Sequence, residues 1–181
     1  MRKTTVAVSL LILLALLVFL TLPRVKQIAL DKTAVAVYFS PHGGCTEAII
    51  QEIDRAQSEI LVQAYSFTSA RIAKALLQAH KRGVREEVIL DQSQKTQKYS
   101  SATFLANQGI PTSIDDQHAI AHNKVMIIDR KIVITGSFNF TRAAEEKNAE
   151  NLLVIHSQEL AKVYLDNWQK HREHSEEYRR G

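Results

Sequence analysis

Hydrophobic and polar positions along this chain alternate in two periods, and the switches between them mark the elements. Residues 35–39 have strand character, and Ser40-Pro41-His42-Gly43-Gly44 ends the run. Over 46–56, Ile49, Ile50, Ile53 and Ala56 recur at helical spacing. Residues 59–65 return to the strand period, with Ile60, Val62 and Ala64 on one face. Ser66-Phe67-Thr68-Ser69 then supplies capping hydroxyls for a helix. That helix turns Ile72, Ala75, Leu76 and Ala79 inward and Arg71, Lys74 and Lys81 outward, with Gly83 at its C-terminal cap. Residues 88–91 are strand-like and end in an acid; 96–108 form an irregular, partly helical crossover; 111–114 give a short strand. Residues 120–128 and 132–135 predict two strands joined by the turn Asp129-Arg130-Lys131. A strand over 152–155 follows, and Ser157 caps a long helix whose apolar stripe is Leu160, Val163, Tyr164 and Trp168. Beyond His171 the chain is highly charged and is expected to fray. This order predicts an α/β (α+β mixed) fold, a mixed sheet covered by helices.

The N-terminus stands outside that pattern. Met1-Arg2-Lys3 leads into an apolar run, residues 6–22, broken only by Ser9 and Thr21. The run is long for the apolar part of a signal peptide, ~7–15 residues. It just reaches the ~17–25 of a tilted membrane span. The flank Pro23-Arg24-Val25-Lys26 has no small-x-small cleavage site. Residues 1–26 are therefore expected to be a membrane anchor or a signal peptide, and 27–181 the working domain. The implied location is periplasmic or secreted, with a possible tether to the inner membrane.

The segment also changes how charge is read. The formal net charge is +4, from 23 basic and 19 acidic residues. Arg2, Lys3, Arg24 and Lys26 lie in the first 26 residues with no acid beside them, which leaves 19 basic against 19 acidic in the remainder. Bulk charge therefore gives no argument for a polyanionic substrate; that must come from a site. Cys45 is the only cysteine, so an intrachain disulfide is excluded. It reads as a small, partly buried apolar residue.

The chemistry gathers in Ala121-His122-Asn123-Lys124-Val125-Met126-Ile127-Ile128-Asp129 and, downstream, Gly136-Ser137-Phe138-Asn139-Phe140-Thr141. On a strand, His122 and Lys124 share a face. A lysine on a core-directed face is costly unless it meets an anion, and a phosphate is such a partner. Asp129 has the opposite parity and falls at the turn, so it is expected to organise the hairpin. Ser137 and Asn139 come where the second strand runs out, next to the first by hairpin pairing. Gly136 permits close backbone approach. Ser, Asn and Lys all donate to phosphate oxygens. A carboxylate at Glu150 can hold one imidazole nitrogen and fix the tautomer of His122. His118 shares the parity of His122, and Asp115 and Asp116 are near, but they match no standard metal spacing. No metal and no cofactor are expected in the reaction.

His122-x-Lys124-x4-Asp129 followed by Gly136-Ser137-x-Asn139-x-Thr141 resembles the signature of the phospholipase D superfamily. Tyr38-Phe39-Ser40-Pro41, Ala64-Tyr65-Ser66-Phe67-Thr68 and Lys81-Arg82-Gly83-Val84 resemble further family segments in the expected order, so the likeness covers roughly residues 35–170. It is strongest to the small, single-motif bacterial endonucleases that resist EDTA. The resemblance implies a phospholipase D-like mixed sheet flanked by helices on both faces. It implies His122 as nucleophile, Lys124 and Asn139 as phosphate ligands, Ser137 as a supporting donor, Glu150 orienting His122, and Asp129 and Gly136 as structural. Arg85-Glu86-Glu87 departs from the apolar–polar alternation of the family and obscures the start of the next strand.

Most of the superfamily carries two such motifs and this chain has one, which implies a homodimer that brings two His122 side chains to one phosphate. Three functions follow. The first is a non-specific endonuclease acting on DNA or RNA through a phosphohistidine. The second is a phospholipase D-type hydrolase or transferase held at its lipid by residues 6–22. The third, disfavoured by the intact His122, Lys124 and Glu150, is a tethered phosphodiester-binding module without catalysis. For the first, Arg71, Lys74, Lys81 and Arg142 are expected to form a basic rim.

Overall fold

The computed structural model describes residues 33–179; the expectation for residues 6–22 lies outside them. The described residues form β1 (Ala34–Ser40), α1 (Cys45–Arg55), β2 (Glu59–Ala64), α2 (Ala70–Lys81), β3 (Arg85–Asp91), α3 (Ala102–Asn107), β4 (Thr112–Asp115), β5 (Lys124–Ile128), β6 (Ile132–Gly136), α4 (Arg142–Glu146), β7 (Glu150–His156), α5 (Gln158–His174) and β8 (Glu176–Glu177). The strands make one mixed sheet in the order β1-β7-β6-β5-β2-β3-β4-β8. β2, β3 and β4 run parallel, with α2 and α3 as crossovers; the other pairings are antiparallel. Among the described residues, no helix is long and apolar enough to cross a membrane.

Side-chain parity divides the core between the two faces of the sheet. Ile60, Val62, Met126, Ile128 and Ile134 pack with α1, α2 and α3 on one face. Leu61, Ile89, Val125, Ile127 and Val133 meet α5 on the other. α5 buries Ala161 and Trp168 and leans on Leu160, Tyr164 and Leu165. The stripe is therefore turned slightly from the expected one, and Val163 is not part of it. The Trp168 indole fixes the rotation by donating to the Val62 carbonyl at 3.0 Å. α5 does not reach the far end of its face. Val35, Val37 and Phe39 of the edge strand share a side with Ile155 and Val133, and they stand 41%, 51% and 66% exposed.

Caps match the sequence where they are local. Ser69 and Ser157 accept from Ile72 N and Leu160 N, and Gly83 follows α2 at φ 89°. At α1 the cap comes from far away: the Glu145 carboxylate accepts from Gly44 N and Thr46 N at 3.1 and 2.7 Å. An anion there satisfies orphan N–H groups and opposes the helix dipole. Cys45, fully buried beside it, has its thiol pushed up to about 11 by burial and by the Glu145 charge.

Three expectations are corrected. The strand predicted over 120–128 begins only at Lys124, because the Asp91 carboxylate draws Ala121 N out of any ladder at 2.8 Å. β3 does start at the charged Arg85: its guanidinium pairs with Glu59 and Glu87, and Glu87 also holds Arg172. Glu86 alone is buried with both oxygens unpartnered, and burial raises its carboxyl to about 8 against the nearby Arg82 charge. The described residues after His171 do not fray. α5 continues to His174, Glu176–Glu177 pair with β4, and Tyr178 donates its backbone N–H to the Thr112 carbonyl at 2.8 Å.

Candidate active site

The direction of the strands brings one end of the sheet together. The last residues of β1, β2, β3, β4 and β6 and the first residues of β5 and β7 all lie there. Crevices outside the carboxyl ends of parallel strands are where α/β sheets take ligands. Lys124 opens β5 opposite Ala64, the last residue of β2. The ladder continues one step further, through Tyr65 N to the Asn123 carbonyl at 2.7 Å. His122 therefore sits just off the sheet rather than on it.

Lys124 is 6% exposed, a costly place for a cationic side chain. Nζ donates to the His122 carbonyl at 2.8 Å and lies 5.0 Å from the centre of the Tyr65 ring. Burial lowers its pKa, and the nearby Glu150 charge opposes that shift. A carbonyl and an aromatic face are modest partners for a buried cation. His122 is exposed, with its ring 4.5 Å from that of Tyr65. Tyr65 thus touches both residues, as a wall that orients one and neutralises part of the other. In the sequence Tyr65 stands out only through its segment Ala64-Tyr65-Ser66-Phe67-Thr68.

On the neighbouring strand, Gly136 has φ 150°, and an added Cβ would lie 2.2 Å from the Asn151 carbonyl. That carbonyl accepts from both Ser137 N and Phe138 N. A side chain at 136 would break the junction, so the glycine is a matter of space. The Ser137 hydroxyl accepts from Asn151 N at 3.0 Å and keeps its own proton to donate. Asn139 lies between Phe138 and Phe140, both fully buried, and each such ring contributes roughly 1.5–3 kcal/mol of burial. Phe140 is stitched to the end of β2: its N–H donates to the Ser66 carbonyl, and its carbonyl accepts from Thr68 N and Ser69 N. The Asn139 Oδ1 position is buried without a partner. A flip of the amide offers a donor at the same point.

The turn between β5 and β6 has another task. Asp129, at φ 51°, accepts from Gln57 N, Ser58 N, Ser58 Oγ and Glu59 N at 2.8–3.0 Å. Burial alone would raise its pKa, but these bonds outweigh it and the carboxyl is lowered. It ties the hairpin to the start of β2, at the opposite end of the sheet from His122. Glu150 departs from expectation. Among the described residues no hydrogen bond joins it to His122: its carboxylate accepts from Asn148 Nδ2 at 3.1 Å, and its N–H donates to Ser40 Oγ. Within one chain its electrostatic partner is Lys124. The buried Asp91, fixing Ala121 next to His122, is a positioning residue that sequence spacing does not reveal.

The rim also changes. Lys81 ends α2 at the far end of the sheet and cannot contribute. Arg71 and Arg142 are there but are paired with Glu47 at 2.7 Å and Glu146 at 2.6 Å. Lys74, Lys98 and Arg142 line an open groove of about 870 Å³ with Thr68, Tyr99 and Phe104.

Comparison with known proteins gives this geometry a lineage. A family profile described as "Cardiolipin synthase, PLD-like domain" matches residues 49–172. A protein named phospholipase D from Rickettsia felis is 46% identical over 149 residues, covering 81% of this chain and 74% of its own length. The crystal structure of Nuc from Salmonella typhimurium, a phospholipase D family member, matches with TM-score 0.78 at 42% identity, over 82% of this chain and 99% of Nuc. NucT from Helicobacter pylori matches with TM-score 0.75 at 25% identity, over 81% of this chain and all of NucT. A mixed sheet of this topology, bearing His122 and Lys124 at its end and matched along most of its length, belongs to a phosphodiesterase of the phospholipase D superfamily.

Proposed function

We propose that this chain is an endonuclease that cleaves nucleic-acid phosphodiesters through a covalent phosphohistidine at His122, in a site completed by a second copy of the chain. The observation that carries this reading is the buried Lys124 side chain beside the exposed His122 imidazole, joined through Tyr65 and, among the described residues, hydrogen-bonded to no carboxylate. A phosphate fills that need.

In the proposed reaction the neutral His122 attacks phosphorus. A P–N bond forms, the P–O bond to the leaving nucleotide breaks, and the His122 imidazolium of the second copy gives its proton to the departing oxygen. Water then attacks phosphorus, its proton passes to that second imidazole, and the P–N bond breaks. Lys124, Asn139 and Ser137 donate to the non-bridging oxygens, while Glu150 favours the charged form of Lys124. The two imidazoles titrate as a pair.

The uncovered apolar row Val35, Val37 and Phe39 supports a two-fold partner, because such a patch on an edge strand calls for a cover. The groove with Lys74, Lys98 and Tyr99 suits a strand of nucleic acid, since cations track phosphates and rings stack on bases. The full-length likeness to Nuc and NucT agrees with it. A second reading, phospholipid hydrolysis outside the cytoplasm or at a membrane, is favoured by the Rickettsia felis relative's name and by the apolar run 6–22. Incubating the full chain with plasmid DNA and, separately, with phosphatidylcholine vesicles tests the choice. The expected result is nicked plasmid and intact lipid; lipid turnover with intact plasmid overturns it in favour of the second reading.

A further inference from the structure

At the outer edge of the sheet, four side chains from two distant parts of the chain converge. Asp115 ends β4 and His118 follows it on the coil that leads to His122. His171 and His174 lie three apart on the last turn of α5, and so face the same way. Asp115 Oδ1 and Oδ2 are 3.0 and 3.2 Å from His118 Nδ1, Oδ2 is 2.7 Å from His171 Nδ1, and Oδ1 is 3.3 Å from His174 Nε2. One donor atom from each residue lies within 4.8 Å of all the others. The Asp115 side chain has no exposed surface, and that of His171 is 15% exposed.

Hydrogen bonding inside the cluster does not satisfy it. One carboxylate is shared by three imidazoles. His118 and His171 bond to it, but among the described residues the buried His174 Nε2 has no hydrogen bond of good geometry, only its 3.3 Å polar contact with Asp115 Oδ1. A buried polar atom left in this state is expensive. Charging the rings does not help: their centres are 4.9, 5.3 and 5.4 Å apart, so imidazolium ions would repel one another. A divalent cation removes both costs, taking one lone pair from each neutral ring and an anionic oxygen from Asp115.

We propose that Asp115, His118, His171 and His174 form a structural zinc site. Three imidazole nitrogens and one carboxylate oxygen are a donor set that zinc accepts. A tetrahedral ion with bonds of ~2.0–2.1 Å holds its ligands about 3.3 Å apart, near the spacing already found around Asp115. The protein fills all four positions, so no site remains for a metal-bound water, and the ion takes no part in phosphoryl transfer. Its effect is mechanical: it fastens the end of α5 to the edge of the sheet and to the coil that delivers His122. Asp116, the third acid-or-histidine neighbour in the sequence, is not part of the site; its carboxylate faces Lys95 at 3.6 Å.

The test uses the full chain, purified without a histidine tag, stripped with a chelator and titrated with Co²⁺ alone. One Co²⁺ per chain is expected, with the intense visible absorption of four-coordinate cobalt, displaced by one equivalent of Zn²⁺. Zn²⁺ is expected to raise the thermal midpoint by roughly 5 °C or more. The double variant His171→Gln/His174→Gln changes partly exposed rings, and is expected to bind cobalt more than about a hundredfold more weakly. The single variant His118→Gln, at a more exposed position, serves if the double variant does not fold, with the same loss expected. Stripped wild type that takes up neither metal, a faint six-coordinate spectrum, or equal binding by the variants overturns the proposal.

Discussion

His118 and His122 leave the same coil and meet opposite surroundings. His118 turns toward the sheet edge, where the buried Asp115 and two rings of α5 surround it. His122, also exposed, lies against Tyr65 and beside Lys124, which among the described residues is hydrogen-bonded to no carboxylate. The first imidazole, though 45% exposed, has its Nδ1 committed to the buried Asp115 carboxylate. The second has been left a free face and a cation for an incoming anion. Under the two proposals the same residue type is a fastener in one place and a nucleophile in the other, and the difference lies in the side chains that meet each ring. Asp91 keeps the two apart by holding Ala121 between them.

The sharpest break of this comparison is His122→Asn. Loss of the nucleophile is expected to lower kcat by about 10⁴-fold or more. Metal uptake and thermal midpoint should stay at the wild-type values, because His122 is exposed and, among the described residues, its ring makes no hydrogen bond and packs only against Tyr65. Plasmid nicking at undiminished rate would refute the assignment. Next is Lys124→Met, expected to lower kcat by roughly 10²–10³-fold. Its stability should hold or rise, since a buried charge is exchanged for an apolar chain. A thermal melt beside the kinetic assay reads both; a large loss of stability with kcat unchanged would make Lys124 a structural residue.

Opposite signs are expected from the metal cluster. His171→Gln/His174→Gln should melt earlier, yet turn over within about twofold of wild type when assayed well below its midpoint. Turnover that vanishes in this variant and returns with a divalent ion would put the metal inside the reaction and end the distinction.

A smaller effect comes from Glu86, which serves neither cluster. Its folded carboxyl titrates at about 8, above the ordinary value near 4.3, so the folded state holds a proton that the unfolded state has released. Stability from this group therefore falls as pH rises from about 4.3 to about 8. Glu86→Gln should flatten the decline in thermal midpoint between pH 6 and 8. An unchanged slope would mean that Glu86 is ionised in the fold.

The two clusters were not equally legible. His122, Lys124, Ser137 and Asn139 flank the open end of one hairpin, β5–β6, with only Lys124 on a strand, so the turn position placed them at the same end of the sheet. The alternation also separates Asp129 from His122 and Lys124, and the four bonds to its carboxylate give that separation a physical cause. Tyr65 and Asp91 come from other strands, and only the order β5-β2-β3 brings them near. The histidine cluster required more. Asp115 and His118 were visible as neighbours, but His171 and His174 lay in a tail expected to fray. Their role depends on α5 docking across the sheet so that its last turn meets β4. Glu145 at the start of α1 was hidden for the same reason, since a cap is local in geometry but not in sequence. What periodicity cannot carry is register between elements, and each of these contacts is a statement about register.

The central claim is that one phosphate is attacked with a His122 from each of two chains. Wild type and His122→Asn can be mixed, unfolded and refolded together, and activity measured against the wild-type fraction. A shared site makes activity follow the square of that fraction, so an equal mixture retains about one quarter of the wild-type rate. A site complete within one chain gives a straight line and about one half at the same point, and that result would contradict the account.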